Sequence, residues 1–511
     1  MSEMASGASS KGGDTGRHLR GSSLLLFGRL ITKLVNFGLQ VAIVRLLSKG
    51  DFGVFAYGLA LAQAGELVVK VGLGRGANRF VPYHAERREY AEVMGTLALV
   101  CGTIIVLGCV GFGALYWISD FGLSGMPAGQ GARVVLIVST LAPVQALDTI
   151  GIQTLACFSR PREIFFRKHV LGPVLRSSAV AMVFFGGGSI EMLALAYVAS
   201  AVIGLGFCAQ LAIRQLRAHG VLPLRVSQWR VPWRPLFGFS LPLISSDLVF
   251  ITLTGLTTIL LMTTNGEEEV AAMRAVVPAA MLIVLVVQSF SMLFMPSAMR
   301  LHARGDMAGL RDHHWQSAAW VAVLSFPLFG LTFGIAPGLV PVLLGPEYAE
   351  SASLLAILAV GYYISVCMAF NGETLQVFQR TRAIVLSDVV AIVCGAALAL
   401  LLCPRFGALG AAISVTAARI AGSIVRQLFL LRTSGFAGVP SAQTWIWAKL
   451  MVAALLVAAL GWIWQPPFLV QLGLLALISL GLLRSTSKTL DLTRSFPELL
   501  RIPLFCRVVG A

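Results

Sequence analysis

The chain has 511 residues, of which 57% are hydrophobic and only 12% are charged, and its formal net charge is +16. Soluble domains are about 45 to 50% apolar, so this composition excludes a soluble protein and indicates an integral membrane protein. The eight cysteines stand singly, without the spacing of metal ligands. We therefore expect no disulfide framework, no metal site and no cofactor.

Residues 1–21 are polar and small, and they are predicted to form a disordered cytoplasmic tail, not a cleaved signal peptide. About fourteen apolar stretches follow, each near the 20 residues that a bilayer core requires. Their predicted limits are 22–44, 53–74, 93–118, 133–157, 170–185, 190–213, 236–263, 275–299, 315–336, 352–370, 383–403, 408–431, 445–464 and 468–483. The predicted fold is an all-α polytopic membrane protein.

Basic residues support this order of spans. With the amino terminus inside, the outer loops contain only Arg45, Lys49, Arg133, Arg274 and Arg405, whereas most other Lys and Arg residues fall in cytoplasmic segments. Cytoplasmic loops of membrane proteins are enriched in these residues. Both termini are therefore predicted to be cytoplasmic, and the basic excess does not indicate nucleic-acid binding.

The spans are predicted to form two six-helix lobes with a pseudo-twofold relation. The amino-terminal lobe is 22–214, a cytoplasmic linker is 215–235 and the carboxyl-terminal lobe is 236–431. Two additional helices occupy 445–483, and 484–511 is a basic cytoplasmic tail. A loose similarity between the segments that start at Phe27 and Phe237 favours the repeat. Transporters built from repeats bind substrate between them.

Polar side chains mark one face of each of the first two helices. Arg29, Lys33, Asn36 and Gln40 recur at helical spacing on the first helix, and Gln63, Glu66 and Lys70 do so on the second. An ionisable group in a membrane costs about 2.5–3.5 kcal/mol on the insertion scale and usually faces a bundle interior or an aqueous cavity. These residues are predicted to line a substrate cavity.

Further basic residues fall in or beside later spans: Arg176 on the fifth, Arg274 on the eighth, and Arg419 and Arg426 on the twelfth. Arg and Lys bind phosphate through charge-assisted hydrogen bonds, so these residues, with Arg29, Lys33 and Lys70, are predicted to bind a diphosphate head group that enters from the inner leaflet. Lys70 and Arg426 have an equally good alternative, in which they extend to the cytoplasmic surface.

Asp148, Asp247 and Asp388 are candidate coupling residues within the spans. Each is either a proton or cation site, a partner of an intramembrane arginine, or a group at a helix end. Structural pairing with arginine is the favoured interpretation.

Five segments resemble the recurrent segments of Wzx-type polysaccharide flippases: Arg45–Leu61, Gly72–Pro82, Phe239–Ser246, Ser325–Tyr348 and Pro404–Ser414. That family belongs to the superfamily of MATE multidrug transporters and peptidoglycan-precursor flippases. The resemblance implies export of undecaprenyl-diphosphate-linked oligosaccharide by alternating access. The acidic residue that the family often has in the seventh helix is missing here, where Thr254 and Thr257 stand.

The resemblance also implies a location in the bacterial inner membrane, with a lipid-linked oligosaccharide, membrane lipids, a glycan polymerase and export machinery as partners. One alternative is a multidrug or cation antiporter on the same fold, but its cavity would favour acidic groups. Another is a membrane glycan polymerase or acyltransferase. Because the outer loops are short and all seven histidines are placed in cytoplasmic loops or the tail, the chain is predicted not to be an enzyme.

Overall fold

The computed structural model describes residues 28, 31–120, 127, 129–158, 160–221, 229–240, 255–434 and 441–486. Arg29, Asp247, the tail 1–21, residues 222–228 of the linker and the residues from 487 onward lie outside this part of the chain. Every secondary-structure element in the described part is helical. The chain divides into two compact units, one up to Thr263 and one from Thr264 onward.

The described part of the first unit contains eleven α-helices and the π-helical segment Phe166–Leu171, and residues 255–256 before the last helix are also π-helical. They are α1 (31–46), α2 (Lys49–Lys70), α3 (Leu73–Glu86), α4 (Tyr90–Asp120), α5 (Gln130–Ser139), α6 (Leu141–Cys157), α7 (Pro161–Phe165), the π-helical segment Phe166–Leu171, α8 (Gly172–Gly186), α9 (Ile190–Ala218), α10 (Trp233–Ser240) and α11 (Thr257–Thr264), which ends at the unit boundary.

Local sequence fixes several helix ends in this unit. The Ser48 hydroxyl accepts the Asp51 backbone N–H at 3.1 Å and caps α2. Val71 and Gly72 then adopt positive φ angles of 44° and 67°, which end α2 and let α3 leave in a new direction. Helix α3 therefore extends beyond the predicted second span as a separate amphipathic helix.

The second unit contains nine described α-helices, which begin at Glu267. They are α12 (Glu267–Met281), α13 (Val284–Ala303), α14 (Met307–Phe333), α15 (Ala336–Leu344), α16 (Ser351–Cys367), α17 (Phe370–Val377), α18 (Thr381–Ser434), α19 (Ser441–Ala458), which continues into the π-helical segment Ala459–Trp464, and α20 (Phe468–Thr486). A short 3₁₀ turn, Pro346–Tyr348, links α15 to α16.

Helix α18 is kinked at Gly407, where φ is 54° and ψ is −133°. Its 54 residues span about 80 Å at the rise of an α-helix, far more than the ~30 Å bilayer core, so a single straight crossing cannot contain both halves. Beyond the kink, the Ala408 N–H donates a hydrogen bond of 2.6 Å to Glu269 Oε2. This bond attaches the start of the second half of α18 to α12.

The two additional helices pack against α14. Trp462 Nε1 donates to the Phe333 carbonyl at 3.0 Å. Neither Gly334 nor Gly461 has room for a Cβ, because Gly461 lies against the Gly334 carbonyl and Gly334 lies against Val457. Small residues permit such close approach between helices in a membrane. Lys449 Nζ donates to the Ser485 carbonyl at 2.9 Å, which satisfies an acceptor at the end of α20.

Ten described helices are long and apolar enough to cross a membrane, and an eleventh crossing is present if the pair Glu267–Met281 and Val284–Ser291, bent by 40°, is one span. The helical multi-pass membrane fold is therefore as predicted. The count of fourteen and the limits of the two lobes remain predictions. Helix α10 packs against α3 and α4 of the first unit.

Candidate functional site

Several of the polar residues predicted to line a cavity lie in α1 and α2. Lys70 Nζ is 2.9 Å from Glu66 Oε1, and both side chains are less than one fifth exposed. Thr149 of α6 donates to the same Glu66 oxygen at 3.3 Å. The carboxylate thus neutralises Lys70 and receives a second donor. On α1, Lys33, Asn36 and Gln40 are half-buried, and Gln63 of α2 is exposed.

Asp148 forms an ion pair with Arg167. Its Oδ1 is 2.8 Å from Arg167 Nη2 and 3.1 Å from Nε. The side chains are only 19% and 9% exposed, so water screens the pair weakly. Sequence reasoning predicted an arginine partner for Asp148 but counted Arg167 among the cytoplasmic residues. The helix in fact begins at Pro161, nine residues before the predicted span.

Two local features place Arg167 inside the unit. It lies in the π-helical segment Phe166–Leu171, and such wide turns change the direction in which the following side chains project and are frequent at functional sites. Opposite it, α9 has Gly204, where a Cβ would lie 2.8 Å from Arg167 Cζ. The glycine leaves the space that the guanidinium fills.

Around this ion pair is a small polar cavity of about 50 Å³. Its polar lining consists of Gln145, Asp148, Arg167, Arg176, Tyr197 and Ser200, from α6, the π-helical segment, α8 and α9. Arg176 and Arg167 both interact electrostatically with Asp148. The cavity therefore combines two guanidinium groups with one carboxylate.

In the second unit, Arg274, Tyr362 and Arg419 form a cationic and aromatic cluster. Arg419 Cζ lies 3.7 Å from the centroid of the Tyr362 ring, in the position of a cation–π contact. Arg274 lies near the same Tyr362 side chain. Within the described residues, Arg419 Nε is buried without a hydrogen-bond partner, and neither arginine forms a salt bridge.

Close packing between α16 and α18 sets the geometry of this cluster. A Cβ at Gly361 would lie 2.9 Å from Thr416 Cα, and Thr416 Oγ1 donates to the Ile357 carbonyl at 2.9 Å. Tyr362 follows Gly361, and Arg419 lies one turn beyond Thr416. The small residue on α16 thus brings the aromatic ring and the guanidinium into contact.

Arg426 forms an ion pair with Asp388 within α18, across the kink. The Arg426 side chain is 33% exposed and that of Asp388 is 23% exposed. Both described candidate coupling residues, Asp148 and Asp388, are thus paired with arginine. A coupling role for Asp148 or Asp388 stays a prediction.

His314, which the sequence predicted to lie in a cytoplasmic loop, lies within a helix. This residue is 1% exposed inside α14, and its Nδ1 is 2.9 Å from Thr374 Oγ1 of α17. The neighbouring His313 stacks on Phe294, with centroids 5.0 Å apart. The helix begins eight residues before the predicted span, which is why a hydropathy window missed it. The described residues contain no group of side chains suited to a metal ion.

Residues 18–302 match the model of a family described as "Polysaccharide biosynthesis protein". The chain belongs to this family. No curated protein sequence matches it.

Several solved structures have a similar fold. The lipid II flippase MurJ in an inward closed conformation matches with a TM-score of 0.65 at 13% identity, covering 93% of this chain and 100% of MurJ. An inward-facing MATE multidrug resistance transporter of the MOP superfamily matches with a TM-score of 0.60 at 15% identity, covering 79% and 95%. A MOP superfamily transporter from Pyrococcus furiosus, described as having a binding pocket of reverse polarity, gives 0.50 at 16%, covering 83% and 96%. At these identities the likeness establishes the fold.

Proposed function

We propose that this member of the polysaccharide biosynthesis family moves undecaprenyl-diphosphate-linked oligosaccharide from the cytoplasmic to the outer leaflet by alternating access. The transported lipid would serve the synthesis of a cell-surface polysaccharide. Membership of the family supports this proposal, and one structure with the same fold is described as a lipid II flippase.

The observation that carries the proposal is the pair of arginines beside Tyr362. Arg274 and Arg419 form no salt bridge with any described residue, although both lie in helices of the second unit. A guanidinium in a membrane protein requires an anionic or hydrogen-bonding partner, and phosphate oxygens match its fork of donors. A diphosphate group that enters from the cytoplasm would provide that partner.

In the first unit, Lys33 and Arg29, the latter outside the described residues, are separate candidates for phosphate binding, and Lys70 is a weaker one because Glu66 already neutralises it. Arg426 is a weaker candidate because Asp388 already neutralises it. In the first unit, Arg176 lines a cavity with room for about three or four water molecules, too small for a diphosphate with its attached sugar.

The proposed location is the bacterial inner membrane, with both termini in the cytoplasm. The proposed partners are membrane lipids and, for the later steps, a glycan polymerase and export machinery. On this proposal the protein is a transporter and catalyses no covalent step.

A deletion strain provides the test. Loss of the protein should cause the lipid-linked oligosaccharide to accumulate on the cytoplasmic side, and surface polysaccharide should disappear. The wild-type gene should restore surface polysaccharide, and so should the control variant Arg382→Ala, whose side chain is exposed. Arg419→Ala should not restore it, although the variant is present in the membrane at the same level. Normal glycan in the deletion strain with increased sensitivity to cationic drugs would instead support an antiporter.

A further inference from the structure

The small cavity of the first unit contains hydrogen-bond donors that no described residue accepts. Arg176, Tyr197 and Gln145 all line it, and the structure records no hydrogen bond from any of the three side chains to the described part of the chain. The Tyr197 hydroxyl and the Arg176 guanidinium also interact electrostatically with each other. Several unused donors therefore converge on one small space.

The charge of the cavity is also incomplete. Asp148 is held by Arg167 through two contacts to a single oxygen, at 2.8 and 3.1 Å. Arg176 is near enough to interact with the same carboxylate but forms no salt bridge with it. One carboxylate thus faces two guanidinium groups, which leaves an excess of one positive charge.

Arg176 cannot bring this charge to water by extending along the helix. It lies about 15 Å along the helix axis from Gly186 and about 22 Å from Pro161, at 1.5 Å per residue. An arginine side chain is much shorter than either distance. A counterion inside the cavity would balance this charge where the side chain lies.

From these donors, this charge and this size, we propose that the cavity binds a small monovalent inorganic anion of the size of chloride. The anion would accept hydrogen bonds from Arg176, the Tyr197 hydroxyl and the Gln145 amide, on the side of the cavity away from the Asp148–Arg167 pair. It neutralises Arg176 and stabilises the packing of α6, α8 and α9. This site is separate from the diphosphate site proposed above and does not depend on it.

Bromide is a suitable probe because it replaces chloride and scatters anomalously. Crystals of the full-length protein grown in bromide should show an anomalous peak within hydrogen-bond distance of Arg176 and the Tyr197 hydroxyl. A cavity that contains water alone, with no such peak, would overturn the proposal.

Thermal unfolding of the detergent-solubilised protein gives a second, independent readout. At constant ionic strength, replacing gluconate by chloride or bromide should raise the Tm in a saturable way. Arg176→Gln should abolish this response, and Tyr197→Phe should weaken it without removing the ring that packs on Phe55. The exposed control Arg133→Gln, whose side chain is 76% exposed, should respond like the wild type.

If Arg176→Gln does not fold, the halide-dependent Tm of Tyr197→Phe and the anomalous bromide peak still show whether the cavity binds an anion. A halide response of equal size in the wild type, Tyr197→Phe and Arg176→Gln would show a general salt effect and refute the site.

Discussion

Asp148 should be more important for stability than its partner Arg167, although the two form one ion pair. Replacing Asp148 with Asn leaves both Arg167 and Arg176 without a carboxylate. Removing one partner of a buried pair costs about 3–5 kcal/mol, and the low exposure of both side chains argues for that range. Arg167→Gln should cost less, because Asp148 then still has the charge of Arg176 nearby.

The assay heats the detergent-solubilised protein and then uses size-exclusion chromatography to measure how much of it remains monodisperse. With roughly 2–4 °C of Tm per kcal/mol, a loss of about 3–5 kcal/mol means that Asp148→Asn should lower the Tm by roughly 6–20 °C. Asp312→Asn is a matched control, because the Asp312 side chain is 72% exposed and should change the Tm by little. The double variant Asp148→Asn/Arg167→Gln should be less destabilised than the sum of the single variants.

Two results would refute this reasoning. If Arg167→Gln destabilises the protein more than Asp148→Asn, Arg176 is not a second partner of the carboxylate. If both single variants melt within about 1 °C of the wild type and their effects add, the pair contributes no coupling energy.

Three further predictions concern packing, cysteine chemistry and energy. Gly361→Leu should force α16 away from Thr416 and destabilise the protein by about 1–3 kcal/mol; an unchanged Tm would contradict the close approach. A variant without cysteines should still support surface polysaccharide, because the seven described cysteines are free thiols, and loss of export at a normal protein level would contradict this. Moving a diphosphate of charge about −2 outward through 100 mV yields roughly 4.6 kcal/mol, so collapsing the membrane potential at a constant proton gradient should slow flipping in vesicles. A dependence on the proton gradient alone would instead direct attention to Asp148, Asp247 or Asp388.

Hydropathy predicted most of the described helices well, because crossing a bilayer imposes both a length and an apolar composition. Its limits lie at the helix ends. The apolar stretches that begin at Val170 and Trp315 lie within helices that begin at Pro161 and Met307. The added turns contain Arg167 and His314, both buried, which averaged hydropathy had placed in loops.

The partners of the charged residues were harder to predict than the residues themselves. The pair Glu66 and Lys70 was predictable because residues four apart share a helix face. The contact between Arg419 and Tyr362 depends on close packing at Gly361 between helices far apart in sequence. Likewise, the space beside Arg167 exists because position 204, on a different helix, lacks a side chain. Spacing within one helix contains no information about such contacts.

Transport by the purified protein tests the central claim most directly. In proteoliposomes, the wild type and Arg382→Ala should move a fluorescent undecaprenyl-diphosphate-linked oligosaccharide between leaflets. They should not transport a matching lipid that lacks the phosphate groups. Arg419→Ala, reconstituted to the same density, should lose most of this activity. Two results would contradict recognition of the diphosphate by this arginine cluster. One is equal flipping of the two lipids, and the other is full activity of both variants, Arg419→Ala and Arg274→Ala.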